Sequence, residues 1–480
     1  MSTGPVASFR DPDGRLFFHD NRVFRLLNPA GEACVRQLLS LRTAEPFLAA
    51  GSIVPTWLLD PAEMSRLLTQ PEVASLAHDM GCVALAEHEA APFASYAHEW
   101  PPEMLHAAGE LTIRLALAVL ADGVGLKDAT PSNVMFWGTK AVFLDALSFE
   151  RRDPHDPTWL PHGQFVRTFL LPLLVNRRYG VPLSQVFTTR RDGMEPEEVY
   201  ALIGPLDRLR PGCLSLVSLP VWLGRHNAEN QAIYAPRRIK NVEQTRFILE
   251  SLLRRQARAL DRLRPREDRQ SAWSGYGEGK NSYSVTEAQA KIEAVRRFLE
   301  EIRPGAVLDL GCNTGIFSLI AADIGARVVA VDSDPVVVGK LWRTAVLKGA
   351  PILPLVVNLA RPTPALGWRN GECRSFLDRA AGAFDAVLML ALVHHLIVTE
   401  RLPLAEIFAT VRRLTRRWLI VEYVAPTDPM FVRLTRGRAH LHQDLNRNSF
   451  EAAAQRHFRI VRSEPVAGSD RRLYLMEAPP

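Results

Sequence analysis

The sequence predicts an α/β protein in which residues 271–480 fold around a doubly wound, mostly parallel β-sheet. Two observations carry this prediction. Strand-like and helical patterns alternate through these residues, which is typical of a parallel sheet covered by helices on both faces. The first strand-like run also ends in an acidic residue and a glycine turn, at the edge where such sheets place their binding crevice.

Six apolar runs are the predicted strands of this sheet. They are Ala306–Leu310, Arg327–Val331, Ile352–Val357, Ala386–Leu392, Trp418–Val424 and Leu473–Met476. Helical periodicity fills the segments between them, and the helical pattern Glu287–Leu299 precedes the first strand.

Residues 1–240 predict a mainly helical α+β region. Within it, Leu16–Leu27 has the pattern of a β-hairpin that turns at Asp20–Asn21. Met104–Ala121 has the pattern of a helix, and a strand–loop–strand segment follows it. Residues 241–270 form a basic helical linker in this division, so that the second domain begins at residue 271.

Composition and charge exclude several classes of protein. Hydrophobic residues make up 47% and charged residues 23%, as in ordinary globular chains and unlike disordered ones. The net charge of +6 is too mild to require an anionic partner, and nucleic acid is not expected. Five scattered cysteines lack metal or disulfide spacing, so no metal site is predicted. Without a signal-like or bilayer-length apolar stretch, we expect a cytoplasmic protein with no membrane span.

The motif D-x-G-x-x-x-G carries the functional argument. The first strand ends at Asp309, and the turn that follows contains Gly311 and Gly315, which allow a tight backbone and close approach to a ligand. The second strand leads to Asp332, whose carboxylate suits the two hydroxyl donors of a ribose. The spacing is neither G-x-G-x-x-G nor GxxxxGK[ST], so NAD fits poorly and a P-loop is excluded.

With these parts in order, residues 271–480 resemble the class I S-adenosylmethionine-dependent methyltransferases, whose fold is a Rossmann-like, seven-stranded sheet. More narrowly, they resemble a bacterial methyltransferase family related to nodulation proteins. The motifs W-x-x-Y, S-Y-S, LDLGCNTG and V-H-H-L carry this resemblance. They include Trp273 and Tyr276, Ser282–Ser284, and Val393–Leu396. The resemblance implies S-adenosyl-L-methionine as the cofactor and methylation as the reaction.

The same resemblance assigns cofactor-binding residues. They are Asp309, Gly311, Cys312, Asn313, Gly315, Asp332, Ser333, Asn358 and Tyr283. Asp309 would lie near the methionine amino end, and Asp332 would hold the ribose. Asn358 stands where related enzymes often have an acid near the adenine, and an amide can also hydrogen-bond the adenine edge. Tyr283 belongs to a segment that resembles a lid over the cofactor.

His394, His395 and Glu422 are the candidate catalytic residues. Methyl transfer depends on alignment, and a base is needed only when the acceptor must lose a proton. Imidazole titrates near neutral pH and can take that proton. Glu422 could orient a histidine, meet a substrate amine or pair with an arginine. The absence of N/D-P-P-Y/F and Pro-Cys motifs argues against DNA methylation, so we expect a small-molecule or carbohydrate acceptor; a protein or a lipid-linked oligosaccharide stays open.

A short N-terminal segment resembles the catalytic loop of kinase-like phosphotransferases. Asp128 and Asn133 have the D-x-x-x-x-N spacing, and Asp145 follows the next strand, an arrangement that could hold magnesium on a nucleotide. The H-R pair, a glycine-rich loop and the V-A-I-K lysine are missing. We therefore expect a degenerate kinase-like region that selects the acceptor or regulates access to the methyltransferase site. The alternatives are a nucleotide-binding phosphotransferase with a vestigial methyltransferase domain, a non-catalytic cofactor-binding scaffold, and a chance match.

Overall fold

The structure is a computed structural model that describes residues 10–227, 238–271, 273–274 and 285–479. Its strands are β1 (Gly14–His19), β2 (Arg22–Leu27), β3 (Thr56–Leu58), β4 (Ala84–His88), β5 (Val124–Leu126), β6 (Val134–Trp137), β7 (Lys140–Phe143), β8 (Phe149–Arg151), β9 (Ala306–Leu310), β10 (Arg327–Asp332), β11 (Ile352–Val356), β12 (Phe384–Met389), β13 (Thr415–Tyr423), β14 (Arg459–Pro465) and β15 (Arg472–Glu477).

The α-helices are α1 (Pro29–Ser40), α2 (Glu45–Ala49), α3 (Pro61–Leu68), α4 (Pro71–Asp79), α5 (Pro102–Val119), α6 (His162–Phe165), α7 (Leu171–Tyr179), α8 (Leu183–Thr189), α9 (Pro196–Leu202), α10 (Pro205–Arg208), α11 (Pro211–Cys213), α12 (Leu219–Asn227), α13 (Val242–Arg262), α14 (Val285–Ile302), α15 (Ile316–Asp323), α16 (Pro335–Lys348), α17 (Phe376–Ala380), α18 (Val393–Val398), α19 (Leu404–Leu414), α20 (Pro429–Leu434) and α21 (Arg447–Gln455).

The N-terminal part is built on a four-stranded antiparallel sheet in the order β1-β2-β4-β3. The predicted hairpin is confirmed: β1 and β2 pair, and both turn residues, Asp20 and Asn21, have positive φ angles of 49° and 61°. Such angles suit a two-residue hairpin turn that matches the twist of its strands. Farther along the chain, β5 pairs with β8 on either side of the segment from Asp128 to Asp145, and β6 pairs with β7 within that segment.

The C-terminal part contains the predicted doubly wound sheet, with seven strands in the order β11-β10-β9-β12-β13-β15-β14. Five strands are parallel, and β15 runs antiparallel to both of its neighbours. The sequence pattern misses β14, because this edge strand is polar and only partly buried. The chain leaves β9 toward β10 on one side and returns through β12 on the other. The carboxyl end of β9 is therefore the switch point where doubly wound sheets bind ligands.

The fourth predicted strand ends earlier than its apolar run suggests. The prediction was Ala386–Leu392, whereas β12 covers Phe384–Met389. Ala391 has a left-handed φ of 52°, which a continuing strand does not allow. The chain turns there into α18, so His394 and His395 lie in the first turn of a helix rather than at the strand end itself.

One hydrophobic core joins the two parts of the chain. Phe93, Trp100 and Met104 belong to the same buried cluster as Leu353 and Leu355 of β11. The basic helix predicted for the linker is α13, and it packs along α5, where the Leu260 carbonyl lies 3.1 Å from the Nε2 atom of His106. The linker helix is therefore a packed element of the N-terminal part.

Among the described residues, one helix is long and apolar enough to cross a membrane by length and composition. It covers Pro102–Asp122, which is α5 with a short 3-10 extension. Of its most apolar window, 67% is buried inside the fold. The helix's apolar character is thus accounted for by its central place in the core.

Candidate cofactor and acceptor site

The glycine loop after β9 follows a left-handed backbone path. Gly311, Asn313 and Gly315 have φ angles of 74°, 50° and 84°. A Cβ atom on Gly315 would overlap the side chain of Leu341 in α16, so this position has no room for another residue. The amides of Gly311 and Cys312 both donate to the Val331 carbonyl, at 2.8 and 3.0 Å. The loop is therefore fixed between β10 and α16.

Asp309 is buried beneath this loop, with 2% of its surface exposed. The Ser318 hydroxyl donates to its Oδ2 atom at 2.6 Å. Burial raises the pKa of Asp309 from 3.8 to about 6, although the Ser318 hydrogen bond and the charge of Lys291 oppose that rise. The carboxylate is ionised at neutral pH and poorly solvated, so a cationic group placed beside it would be stabilised.

Asp332 connects the end of β10 to the glycine loop. Its Oδ2 accepts from the Asn313 amide at 3.0 Å, and its Oδ1 accepts from the Asp334 amide at the same distance. Burial raises the pKa of Asp332, and these backbone donors oppose the change. A carboxylate has further lone pairs, so the same oxygens can also accept from ribose hydroxyls. Ser333, the next residue, is exposed beside it.

Two other predicted cofactor residues have identifiable local roles. The Asn358 Oδ1 atom accepts from the Ala360 amide at 2.9 Å, so the side chain also orders the turn after β11. Cys312 is buried in the loop, and burial raises the pKa of its thiol well above the ordinary value. A protonated thiol in this position lines the loop and is not a nucleophile.

The aromatic segment before α14 contributes Trp273. Its carbonyl accepts from the Asn313 side-chain amide at 3.2 Å, and its ring meets His395 edge-on with 5.1 Å between ring centroids. Tyr276 and Tyr283 lie outside the described residues. Trp273 was not among the predicted site residues, although the W-x-x-Y motif pointed to it. It brings the glycine loop and the histidine pair together.

The two histidine rings lie against each other, with 4.2 Å between ring centroids and 42° between ring planes. His394 is 2% exposed, and neither of its ring nitrogens has a hydrogen-bond partner within the part of the chain that the structure describes. Burial, with the positive charges of Arg471 and Lys291 nearby, lowers the pKa of His394 well below its ordinary value. Burial also lowers the pKa of His395, to about 4. Both imidazoles are therefore neutral at neutral pH.

Glu422 is fully buried and paired with cations. Lys291 donates to its Oε2 atom at 2.5 Å, and Arg471 approaches its Oε1 atom at 3.4 Å. Arg471 also bonds Asp428 at 2.7 Å. Of the roles open to Glu422, the structure supports ion pairing. Lys291 and Arg471 were missed because they lie 131 and 49 residues away from Glu422 in sequence.

The two kinase-like acids of the N-terminal part are engaged with protein groups. Asp128 accepts from Gln164 at 2.7 Å. Asp145 accepts from Arg25 at 3.3 Å, and the side-chain amide nitrogen of Asn133 is buried without a partner in the described ranges. In those same ranges, no group of three or more His, Cys, Asp or Glu side chains is arranged to hold a metal ion.

The sheet order, the glycine loop and the two strand-end carboxylates define the class of the C-terminal part as a methyltransferase domain, and residues 285–466 match the family model described as "Methyltransferase domain". The chain therefore contains a methyltransferase domain. Over 478 residues it is 29% identical to nodulation protein NoeA of Rhizobium meliloti (strain 1021), an alignment that covers 99% of this chain and 96% of the relative.

Solved structures similar to part of this chain include two enzymes with bound S-adenosyl-L-homocysteine. The N-methyltransferase NodS from Bradyrhizobium japonicum WM9 is 11% identical, with a TM-score of 0.32, over 45% of this chain and 95% of that chain. The magnesium protoporphyrin IX methyltransferase ChlM from Synechocystis PCC 6803 is 21% identical, with a TM-score of 0.31, over 42% of this chain and 90% of that chain.

Proposed function

We propose that the enzyme methylates a hydroxyl or amine group of a small-molecule or carbohydrate acceptor that binds beside His394 and His395. The observation that carries this proposal is the buried, neutral histidine pair at the carboxyl side of β12. It stands next to Trp273, which contacts the glycine loop. Acceptor and cofactor groups would therefore meet at one edge of the sheet.

The residues at this edge fit the cofactor. Asp309 supplies a poorly solvated carboxylate for the methionine ammonium, and Asp332 supplies acceptor oxygens for the ribose. The loop from Gly311 to Gly315 leaves room for close approach, and Asn358 would meet the adenine. When bound, S-adenosylmethionine supplies a methyl group on a sulfonium that a nucleophile can displace.

His394 is the residue that we assign to the acceptor's proton. A neutral imidazole can accept a proton from a hydroxyl as it attacks, or from an ammonium before the resulting amine attacks. Burial, assisted by the nearby charges of Arg471 and Lys291, lowers the pKa of His394 and leaves its imidazole unprotonated at neutral pH. Glu422 would act indirectly, because it holds both cations in place. The rings of His395 and Trp273 would contact the acceptor and orient it.

Two observations support a small polar acceptor. The full-length relative is a nodulation protein, and no motif of a DNA-base methyltransferase follows the fourth strand. The side chains near His394 are an indole, a second imidazole and ion-paired charges, which together suit a hydrogen-bonding acceptor. We assign the N-terminal part to acceptor selection, since its core is continuous with that of the catalytic part.

The test begins with calorimetric titration of S-adenosylmethionine into wild type, Asp309→Ala and Asp323→Ala. Asp323 is a matched control, because it is an exposed acid on α15 close in sequence to the loop. We expect binding by wild type and the control and none by Asp309→Ala. Isotope-labelled methyl transfer to a panel of sugars, oligosaccharides and small amines then identifies the acceptor. Transfer to protein or DNA alone would contradict the proposal.

The alternative functions have their own signatures. A phosphotransferase would bind ATP with magnesium and lose that binding in Asp145→Ala, and the D-x-x-x-x-N spacing with the paired β6 and β7 strands supports testing it. A non-catalytic scaffold would bind S-adenosylmethionine and methylate nothing in the panel. Each result is distinct from the one that we expect.

A further inference from the structure

Helix α16 packs behind the residues that we assign to the cofactor. It begins three residues after Asp332, and Asp334 caps it by accepting from the Val336 amide at 2.9 Å. On the inner side of α16, Leu341 packs directly against Gly315. A side chain at position 315 would overlap Leu341. A shift of α16 would therefore move both the glycine loop and Asp332, whose carboxylate we assign to the ribose.

The opposite side of α16 is held by a residue of the N-terminal part. Glu103, in the first turn of α5, forms an ion pair with Arg343. Its second oxygen, Oε2, is buried without a hydrogen-bond partner among the residues that the structure describes. The same carboxylate fills the space where a Cβ atom on Gly339 would lie. Glu103 therefore sets how closely α5 and α16 approach.

A third contact extends this arrangement to the aromatic segment. The Lys340 ammonium lies 3.5 Å from the Ser274 carbonyl, and the neighbouring Trp273 carbonyl holds the side chain of Asn313 in the glycine loop. Helix α16 thus connects Glu103 to the glycine loop through two sets of contacts. One set passes through Leu341, and the other passes through Lys340 and the aromatic segment.

We propose that Glu103 is a positioning residue for cofactor binding. Through Gly339 and Arg343 it fixes α16, and α16 in turn fixes Asp332 and the glycine loop. The N-terminal part would then determine cofactor affinity as well as packing on the catalytic part. The inference depends on the cofactor assignment and is independent of the identity of the acceptor.

A second ion pair between the two parts provides the matched control. Glu99 pairs with Arg379 of α17, and their side chains are 0% and 3% exposed. Arg379 lies between β11 and β12 in the chain and donates hydrogen bonds to Glu99, the Ala94 carbonyl and the Arg374 carbonyl. Loss of this pair should weaken the junction between the two parts without moving α16.

The experiment compares Glu103→Gln, Gly339→Ala and Glu99→Gln in the full-length chain. Calorimetry with S-adenosylhomocysteine gives Kd, and urea unfolding gives stability. Both Glu103→Gln and Gly339→Ala should raise Kd by ~5-fold or more, which is the usual lower range of coupling between sites. Glu99→Gln should lower stability and change Kd by less than ~2-fold. In methyl-transfer assays, the first two variants should raise the KM for S-adenosylmethionine more than they lower kcat.

Two results would overturn the inference. One is an unchanged Kd in Glu103→Gln and Gly339→Ala although stability falls. The other is an equal rise of Kd in Glu99→Gln, which would mean that any loosening of the junction affects the cofactor. If Glu103→Gln fails to fold, Arg343→Lys keeps the charge, changes the geometry and takes its place. A wild-type chain that binds no S-adenosylhomocysteine would refute the cofactor assignment and this inference together.

Discussion

Lys291 donates to Glu422 at 2.5 Å in a region that solvent hardly reaches. Lys291 lies on α14 and Glu422 near the carboxyl end of β13, so the pair ties the helix before the sheet to its fifth strand. Burial lowers the pKa of Lys291, and the charge of Glu422 opposes that change. Each charge is therefore tolerated in the interior because the other is present.

Removal of the Glu422 charge should be strongly destabilising. Glu422→Gln leaves Lys291 and Arg471 buried without their shared carboxylate, and breaking a buried pair in this way costs about 3–5 kcal/mol. Urea unfolding measures the change. Glu477→Gln is the control, because Glu477 pairs with two mostly exposed arginines, Arg417 and Arg459. Loss of exposed pairs of this kind should cost about 1 kcal/mol or less each. If both variants lost the same small amount of unfolding free energy, the buried Lys291–Glu422 pair would not stabilise the fold as expected.

Asp309 should make the cofactor-free protein less stable as the pH rises. Its folded-state pKa is raised from 3.8 to about 6, so between these values the folded state holds a proton that the unfolded state has lost. Stability therefore falls as pH rises through this window and is lowest above it.

Asp309→Asn removes this penalty and should stabilise the cofactor-free protein at pH 8 by roughly 2 kcal/mol, while weakening cofactor binding. Thermal unfolding at pH 4 and pH 8 measures the difference, with Asp323→Asn as the exposed control. A lower stability of Asp309→Asn at pH 8 would disprove the expected sign.

The histidine pair should give a rate that is flat with pH near neutrality. The pKa of His395 is lowered to about 4 and that of His394 lies well below its ordinary value, so neither imidazole titrates between pH 6 and 9. His394→Asn should reduce kcat by about 100-fold or more and leave the Kd for S-adenosylmethionine unchanged. His78→Asn, at an exposed position on α4, should have no effect. A rate limb near pH 6.5 that disappears in His394→Asn would contradict this assignment.

Asp145→Ala should affect stability and not methyl transfer. Asp145 accepts a hydrogen bond from the buried Arg25. The second acidic residue beside Arg25 is Asp11, which is more distant at 3.8 Å. Loss of the nearer partner should cost about 1–3 kcal/mol in urea unfolding. Methyl transfer by folded protein should stay at the wild-type rate, as in an Asp192→Ala control. ATP binding that depends on Asp145 would instead favour the phosphotransferase alternative.

Much of the cofactor site could be predicted because it is local in sequence. Asp309, Gly311 and Gly315 belong to one strand, one turn and one helix start, and Asp332 ends the next strand. Short-range patterns determine such units. The turn at Ala391 was not evident, since an apolar run does not reveal where a backbone adopts positive φ.

The supporting contacts could not be predicted in the same way. Glu103 and Arg343 are 240 residues apart, and only the packing of α5 on α16 brings them together. Lys291 has the same sequence context as any surface lysine in an amphipathic helix, and its burial depends on the position of β13. Residues of this kind are specified by the assembled fold rather than by their neighbours along the chain.

The continuous core has a consequence for the ancestry and engineering of such chains. Trp100 and Met104 pack in one cluster with Leu353 and Leu355, although the apparent linker separates them in sequence. Recombination between two relatives at that linker would exchange half of a core. Chimeras should therefore fold well only when the two parents match in side-chain volume across this junction, because close-packed interiors tolerate little mismatch. The two parts are expected to have diversified together.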